Sequence, residues 1–238
     1  RNEIAAESLL FGIEEFRQGF LPLARRHQME FSVRDSAVPR RVVILVSRQD
    51  HCLVDLLHRW RTGELRFDLR AVVSNHPDTR AYVEHHGVAF HDVPVPTDAE
   101  GKAAAFAQVE RLLDTEAADL VVLARYMQVL PPALCRRYAG RILNIHHSFL
   151  PSFAGGQPYR QAFERGVKLV GATSHFVTPI LDEGPIIEQD VIRVDHGDTA
   201  EDMIRLGRDV EKTVLARSLR YVLEDRVIVN GNRTVVFR

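Results

Sequence analysis

From Arg40 onward the chain predicts a doubly wound α/β fold with a mostly parallel sheet. Three observations carry this. Short apolar runs such as Val42-Val43-Ile44-Leu45-Val46 and Leu120-Val121-Val122-Leu123-Ala124 are almost uninterrupted, as in strands covered on both faces. Stretches with helical spacing separate them, and 238 residues with 45% apolar content can bury a large core.

The elements follow in order. Leu9, Ile13, Phe16, Phe20 and Leu23 are spaced by four, three, four and three residues, which predicts an amphipathic helix. A short strand is expected at 29–33 and a polar linker at 34–39. One helix and one strand cannot bury their own apolar faces, and the first residue is Arg rather than Met; both suggest a clipped N-terminal domain. Strands are then expected at 41–46, 69–74, 89–95, 120–124 and 142–145, with helices near 53–60, 79–86, 99–117 and 132–138. Phe106, Val109 and Leu113 mark the buried face of the third of these helices. Two further strands, 169–177 and 186–194, flank a loop at 178–185. A long helix at 200–223 carries Met203, Val210, Val214 and Tyr221 on one side, and a hairpin at 226–229 and 234–237 turns at Asn230-Gly231.

Composition narrows the function. With 31 basic and 32 acidic residues the net charge is −1, which offers no attraction to nucleic acid or an anionic membrane. No apolar run approaches the roughly 20 residues of a membrane span, and no signal-peptide pattern is evident. Cys52 and Cys135 form neither a CxxC motif nor a disulfide framework, in keeping with a reducing cytoplasm. The adjacent pairs His85-His86 and His146-His147 lack metal-ligand spacing, so no metal is expected.

The most specific segment is Asn144-Ile145-His146-His147-Ser148-Phe149-Leu150-Pro151, followed downstream by Asp182-Glu183-Gly184-Pro185. In a strand, Asn144 and His146 share one face while Ile145 and His147 point to the other. An amide donor, an imidazole and a carboxylate arriving on a loop are what acyl transfer from an amide requires. They hold an oxyanion, move a proton and control the attacking group.

On these residues the chain resembles the folate-dependent formyltransferase superfamily, whose motif is Asn-x-His, then Ser-x-x-Pro, then Asp-x-Gly. Asn144, His146, Ser148, Pro151, Asp182 and Gly184 fill every position, and the resemblance runs from about Arg40 to the C-terminus. The nearest branch is the hydrolytic one, the formyltetrahydrofolate deformylases. It is matched by His146-His147, by Ser47-Arg48-Gln49-Asp50-His51-Cys52, by Leu181-Asp182-Glu183-Gly184-Pro185-Ile186-Ile187 and by Gly231-Asn232-Arg233-Thr234-Val235-Val236.

The resemblance implies hydrolysis of 10-formyltetrahydrofolate to formate and tetrahydrofolate, supplying formate for purine synthesis, with no tightly bound cofactor. Asn144 would donate to the formyl oxygen. His146 would add a second donor when protonated, and Asp182 would position the water and accept its proton, directly or through His146. Tyr126, Met127, Gln128, Val129 and Leu130 would line the pterin pocket, with Val177, Thr178 and Leu181 on the opposite wall. His147 is expected in a supporting or structural role, and Ser148 is expected to bond turn backbone and keep Asn144 in register. Residues 1–36 would be the last helix and strand of an ACT-like regulatory domain, and 37–238 the catalytic domain. A helical arm packed on the catalytic domain is the alternative. ACT-like units pair, so a homodimer or tetramer is expected.

One departure concerns the acceptor. Family members acting on glycinamide ribonucleotide carry a Gly-rich first turn whose N–H groups cradle a phosphate. Residues 47–52 hold no glycine, and Asp50 would repel phosphate, which leaves water. His51 or Cys52 would touch the folate, or Cys52 is a small buried residue opening a helix. The rival readings are a formyltransferase for a small amine and a folate-binding protein without activity.

Overall fold

In the computed structural model, which describes residues 2–5, 8–152 and 158–238, the chain divides into two units, Arg1–Pro39 and Arg40–Arg238. The first holds α1 (Ile13–Arg26), on which the Phe16 and Phe20 rings stack at 5.9 Å, with Phe20 meeting Phe31 edge-on at 4.9 Å. The strand expected at 29–33 does not form. Among the described residues of this unit no other strand could complete a ladder, and the Val33 carbonyl instead accepts a bond from Arg17 Nη2 at 2.5 Å.

The second unit is built on a seven-stranded sheet. Its strands are β1 (Arg41–Val46), β2 (Asp68–Ser74), β3 (Ala89–Asp92), β4 (Leu120–Ala124), β5 (Ile142–His146), β6 (Leu169–Phe176) and β7 (Ile186–Arg193). Their order is β3-β2-β1-β4-β5-β6-β7. The first five pair in parallel, whereas β5–β6 and β6–β7 are antiparallel. The mostly parallel α/β reading therefore holds, and the last three strands form a meander. A hairpin of β8 (Val227–Asn230) and β9 (Arg233–Val236) turns through Gly231 at φ +60°.

Both faces of the sheet are covered. Val42, Ile44 and Val46 pack with α2 (His51–Arg61) and α7 (Ala200–Leu223). Val43 and Leu45 pack with α4 (Ala99–Thr115) and α5 (Pro132–Arg137) on the other side. Alternate side chains of one strand thus enter opposite cores, which is why β1 has no polar alternation. Each large side chain so buried contributes about 1.5–3 kcal/mol. α3 (Arg80–His85) links β2 to β3, and α7 opens on a reciprocal cap between Thr199 and Asp202.

One helix escaped the sequence reading: α6 (Pro158–Arg165), which buries Tyr159 and Ala162 against Val170, Val194 and Met203. Its Tyr159 ring lies against Gly207 of α7, where an added Cβ would fall 2.1 Å from the ring. Replacing Gly207 by Ala should therefore lower stability by about 1–3 kcal/mol through overpacking, although Ala is the better helix former by about 1 kcal/mol. Urea unfolding compares the two proteins; a variant as stable as the parent would mean that Tyr159 moves aside freely.

Candidate active site

Strand β5 sets the site. Ile142, Leu143 and Ile145 anchor it in the two cores, while Asn144 is half-buried and His146 buried at the carboxyl end. Antiparallel pairing places His175 of β6 opposite Asn144, and Thr173 opposite His146. The His175 ring is oriented by its Nδ1–H, which donates to the Phe176 carbonyl at 2.9 Å. Its Nε2 is then an acceptor and takes one N–H of the Asn144 amide at 3.2 Å. Burial lowers the His175 pKa, which keeps it neutral in this role. Asn144 is thereby fixed nitrogen-inward, with its second N–H free for another partner.

Asp182 comes down on this pair from the β6–β7 loop. Its backbone is left-handed (φ +57°), a conformation that Asp tolerates better than most residues. Two residues on, Gly184 passes so close to β6 that an added Cβ would lie 1.7 Å from the Phe176 carbonyl oxygen. The result is a contact between His146 Nδ1 and Asp182 Oδ1 at 3.2 Å, with His175 Nε2 at 3.8 Å from the same oxygen. The hydrogen bond from His146 holds the Asp182 pKa below the ordinary value, outweighing its partial burial. His146 Nε2 is buried and has no partner among the described residues. A carboxylate thus meets one ring nitrogen, and the other is buried without a hydrogen-bond partner among the described residues.

His147 departs from expectation. The strand ends at His146, so the two-residue alternation stops there, and the two rings lie 5.2 Å apart at 39° rather than on opposite faces. Burial, reinforced by the Arg125 charge, pushes the His147 pKa down to about 3. Ser148 Oγ does donate to turn backbone, the Ser152 carbonyl at 2.8 Å, but it does not hold Asn144, whose partner is His175. The turn is pinned from β6: Thr173 Oγ1 donates to the Ser148 carbonyl at 2.9 Å and accepts from Leu150 N–H at 3.0 Å.

Beyond β4, Tyr126 is buried with its hydroxyl unpartnered among the described residues, and burial lifts its pKa to about 12, so it stays protonated. Met127 and Val129 are exposed, Gln128 is half-buried, and Leu130 is buried beside Leu134 and Cys135. Met127 N–H donates to Ser47 Oγ at 2.9 Å, tying this segment to the end of β1. In the β6–β7 loop Val177 and Thr178 are half-buried and Leu181 is exposed. His175 and Thr173 went unnoticed in the sequence; their signal was polar residues two apart inside an otherwise buried strand.

His51, Cys52 and Glu211 bring possible metal-ligating atoms within 4.8 Å of one another. The chemistry there opposes a cation. Arg125 Nε lies 3.5 Å from Glu211, and burial raises the Cys52 pKa well above its ordinary value, which keeps the thiol protonated.

The formyl transferase family model matches residues 40–219. A formyltetrahydrofolate deformylase from Escherichia coli K12 is 50% identical over 213 residues, 87% of this chain and 74% of that protein. The one from Bacillus subtilis 168 is 48% identical over 222 residues, 92% of this chain and 72% of its own length. The crystal structure of a deformylase from Pseudomonas syringae pv. tomato DC3000 superposes with a TM-score of 0.95 at 57% identity, covering 98% of this chain and 78% of that one. A glycinamide ribonucleotide transformylase from Symbiobacterium toebii superposes with a TM-score of 0.78 at 32% identity, covering 88% and 98%.

The buried imidazoles predict an acid-sensitive fold. Unfolded, His147 takes a proton near its ordinary value of 6.5; folded, it takes one only near 3. Between these values the unfolded state holds more protons, so stability falls as pH is lowered through that window. His175, whose pKa is also lowered, acts in the same direction. Urea midpoints measured across that window should fall with pH, and His147→Asn should flatten the slope; an unchanged slope would show that His147 takes up its proton while folded.

Proposed function

As a member of the formyl transferase family, to which residues 40–219 assign it, the chain is, we propose, a formyltetrahydrofolate deformylase: it hydrolyses 10-formyltetrahydrofolate to formate and tetrahydrofolate. The observation that carries the mechanism is the His146–Asp182 pair with His146 Nε2 left without a partner. A proton acceptor held by a carboxylate on one nitrogen and unpartnered on the other is the arrangement of a general base.

The reaction follows from this geometry. The second N–H of Asn144 points at the formyl oxygen and holds the developing oxyanion; one such donor accounts for about 10²–10³ in rate. Water attacks the formyl carbon and gives its proton to His146 Nε2. Asp182, accepting from Nδ1–H, keeps the tautomer and stabilises the imidazolium. This favours relay through His146 over direct uptake by Asp182. His146 then returns the proton to the departing folate nitrogen as its bond to carbon breaks. Water's oxygen and remaining proton leave with formate, and the second proton leaves on tetrahydrofolate. The Tyr126–Leu130 and Val177–Leu181 segments form the walls for the folate, and the formate serves purine synthesis.

The reading extends to the rest of the chain. Residues 1–36 are the C-terminal part of an ACT-like regulatory domain. In support, Phe11, Leu21, Leu23 and Phe31 are all exposed in the first unit, an apolar surface suited to pairing in a homo-oligomer. Among the described residues no helix is long and apolar enough to cross a membrane, and Cys52 and Cys135 are free thiols, which supports a cytoplasmic location.

Incubation with 10-formyltetrahydrofolate and no amine should release formate and tetrahydrofolate in equal amounts; intact substrate after prolonged incubation would remove the hydrolase reading. Asp182→Asn, isosteric but unable to hold His146 cationic, should retain folate binding by fluorescence titration and lose about 10²–10⁴ in formate release. Near-parental turnover in that variant would take Asp182 out of the mechanism.

A further inference from the structure

In the order β3-β2-β1-β4-β5 the chain winds to one side from β1 and to the other from β4, so these two neighbours flank the switch point of the sheet. Ligands of doubly wound sheets lodge in the crevice beyond the strand ends at this point, and the N–H groups opening the first helix there attract anions. In this chain the crevice is occupied by the protein's own charges. Arg125 follows β4 with a left-handed backbone (φ +62°) and is only 6% exposed. Its Nε donates to Gln49 Oε1, in the β1–α2 turn, at 2.8 Å, and its Nη2 reaches the same atom. The same Nε lies 3.5 Å from Oε2 of Glu211, which α7 delivers at 1% exposure.

Both Glu211 oxygens are taken. His51 Nε2, on the first residue of α2, meets Oε2 at 2.8 Å, and the Tyr159 hydroxyl donates to Oε1 at 2.7 Å. Burial opposes the Glu211 charge, but the His51 bond and the Arg125 charge outweigh it and hold its pKa below the ordinary value. The Tyr159 ring is 6.2 Å from His147, which is 5.2 Å from His146. A buried ionic cluster therefore begins one ring away from the residue proposed to move the proton, yet none of its five side chains takes part in the hydrolysis described above.

We propose that Gln49, His51, Arg125, Tyr159 and Glu211 form an internal plug at the switch point that excludes a phosphate-bearing amine and so makes water the acceptor. This rests on the hydrolase reading and assigns its acceptor specificity to named side chains. The Glu211 carboxylate meets the side chain of His51, the residue that opens α2, and its charge repels a second anion. The Arg125 guanidinium, held by Gln49 and Glu211 with its Nη1 buried and without a partner among the described residues, takes up the space beside it.

The double variant Arg125→Ala/Glu211→Ala removes both buried charges together and orphans neither. Near-UV circular dichroism reports its packing, and phosphorus NMR reports binding of glycinamide ribonucleotide, a primary amine carrying a phosphate monoester. Product analysis with 10-formyltetrahydrofolate separates formate from formylated amine. In formyl transfer the formyl carbon passes from the folate nitrogen to the amine, and one amine proton goes to the folate nitrogen.

Wild-type protein should release formate at a rate indifferent to the amine. The packed double variant should bind the amine about tenfold or more tightly than wild type, the scale of relieving a like-charge contact, and its formate release should become sensitive to the amine. A packed double variant that binds no better than wild type overturns the proposal, as does a wild type that binds and formylates the amine. If the double variant loses its packing, Gln49→Gly, a change in an exposed turn that removes one of the two partners of Arg125, carries the same binding measurement: unchanged binding again overturns the plug. Absence of formate from wild type without amine would instead remove the hydrolase reading, and the binding comparison would still decide the plug.

Discussion

The antiparallel register between β5 and β6 is the constraint on which the site depends. It sets His175 opposite Asn144 and Thr173 opposite His146. From the first pairing comes the orientation of the Asn144 amide; from the second comes the anchoring of the turn after His146. A slip of one residue would send His175 and Thr173 to the other face of the sheet and leave Asn144 free to flip. The approach of Gly184 to the Phe176 carbonyl then docks the loop that carries Asp182 onto the same strand. The geometry of the proposed catalytic site is here a consequence of one ladder and one glycine.

Burial distributes charge around that geometry with economy. His147 and His175 are kept neutral, the first mainly by desolvation and then by Arg125, the second by desolvation. Asp182 stays ionised through the His146 hydrogen bond. The proton proposed to move in hydrolysis would therefore meet one carboxylate and one unpartnered ring nitrogen, with His147 and His175 neutral beside them. Farther out, Glu211 and Arg125 balance each other inside the protein, where either alone would be a costly buried charge.

What could be read in the residues was what is local. The two-residue repeat of a strand brought Asn144 and His146 together, and unbroken apolar runs announced a sheet covered on both sides. The same repeat misplaced His147, because the strand ends one residue before it. His175 was invisible for a different reason: its importance lies in cross-strand register, which no local pattern encodes. Arg125 and Glu211 sit far apart in sequence and meet only once α7 packs against the sheet. The strand expected at 29–33 failed because apolar character alone does not supply a neighbour for its backbone, and α6 was missed because too few apolar positions mark its short face.

The meander of β5, β6 and β7 also has a consequence for the timing of failure. Its residues run consecutively from Ile142 to Arg193 and include each of the three groups proposed to act on the formyl carbon. Within the sheet, the tie between this meander and the parallel strands is the pairing of Ile142, Leu143 and Asn144 with β4. Contiguous supersecondary units of this kind open and close as cooperative pieces at a lower free energy than the whole protein. Loss of the reaction centre therefore need not await loss of the fold: a molecule with β1–β4 and their helices intact, but with this piece and its α6 momentarily released, keeps most of its helical content and is catalytically silent.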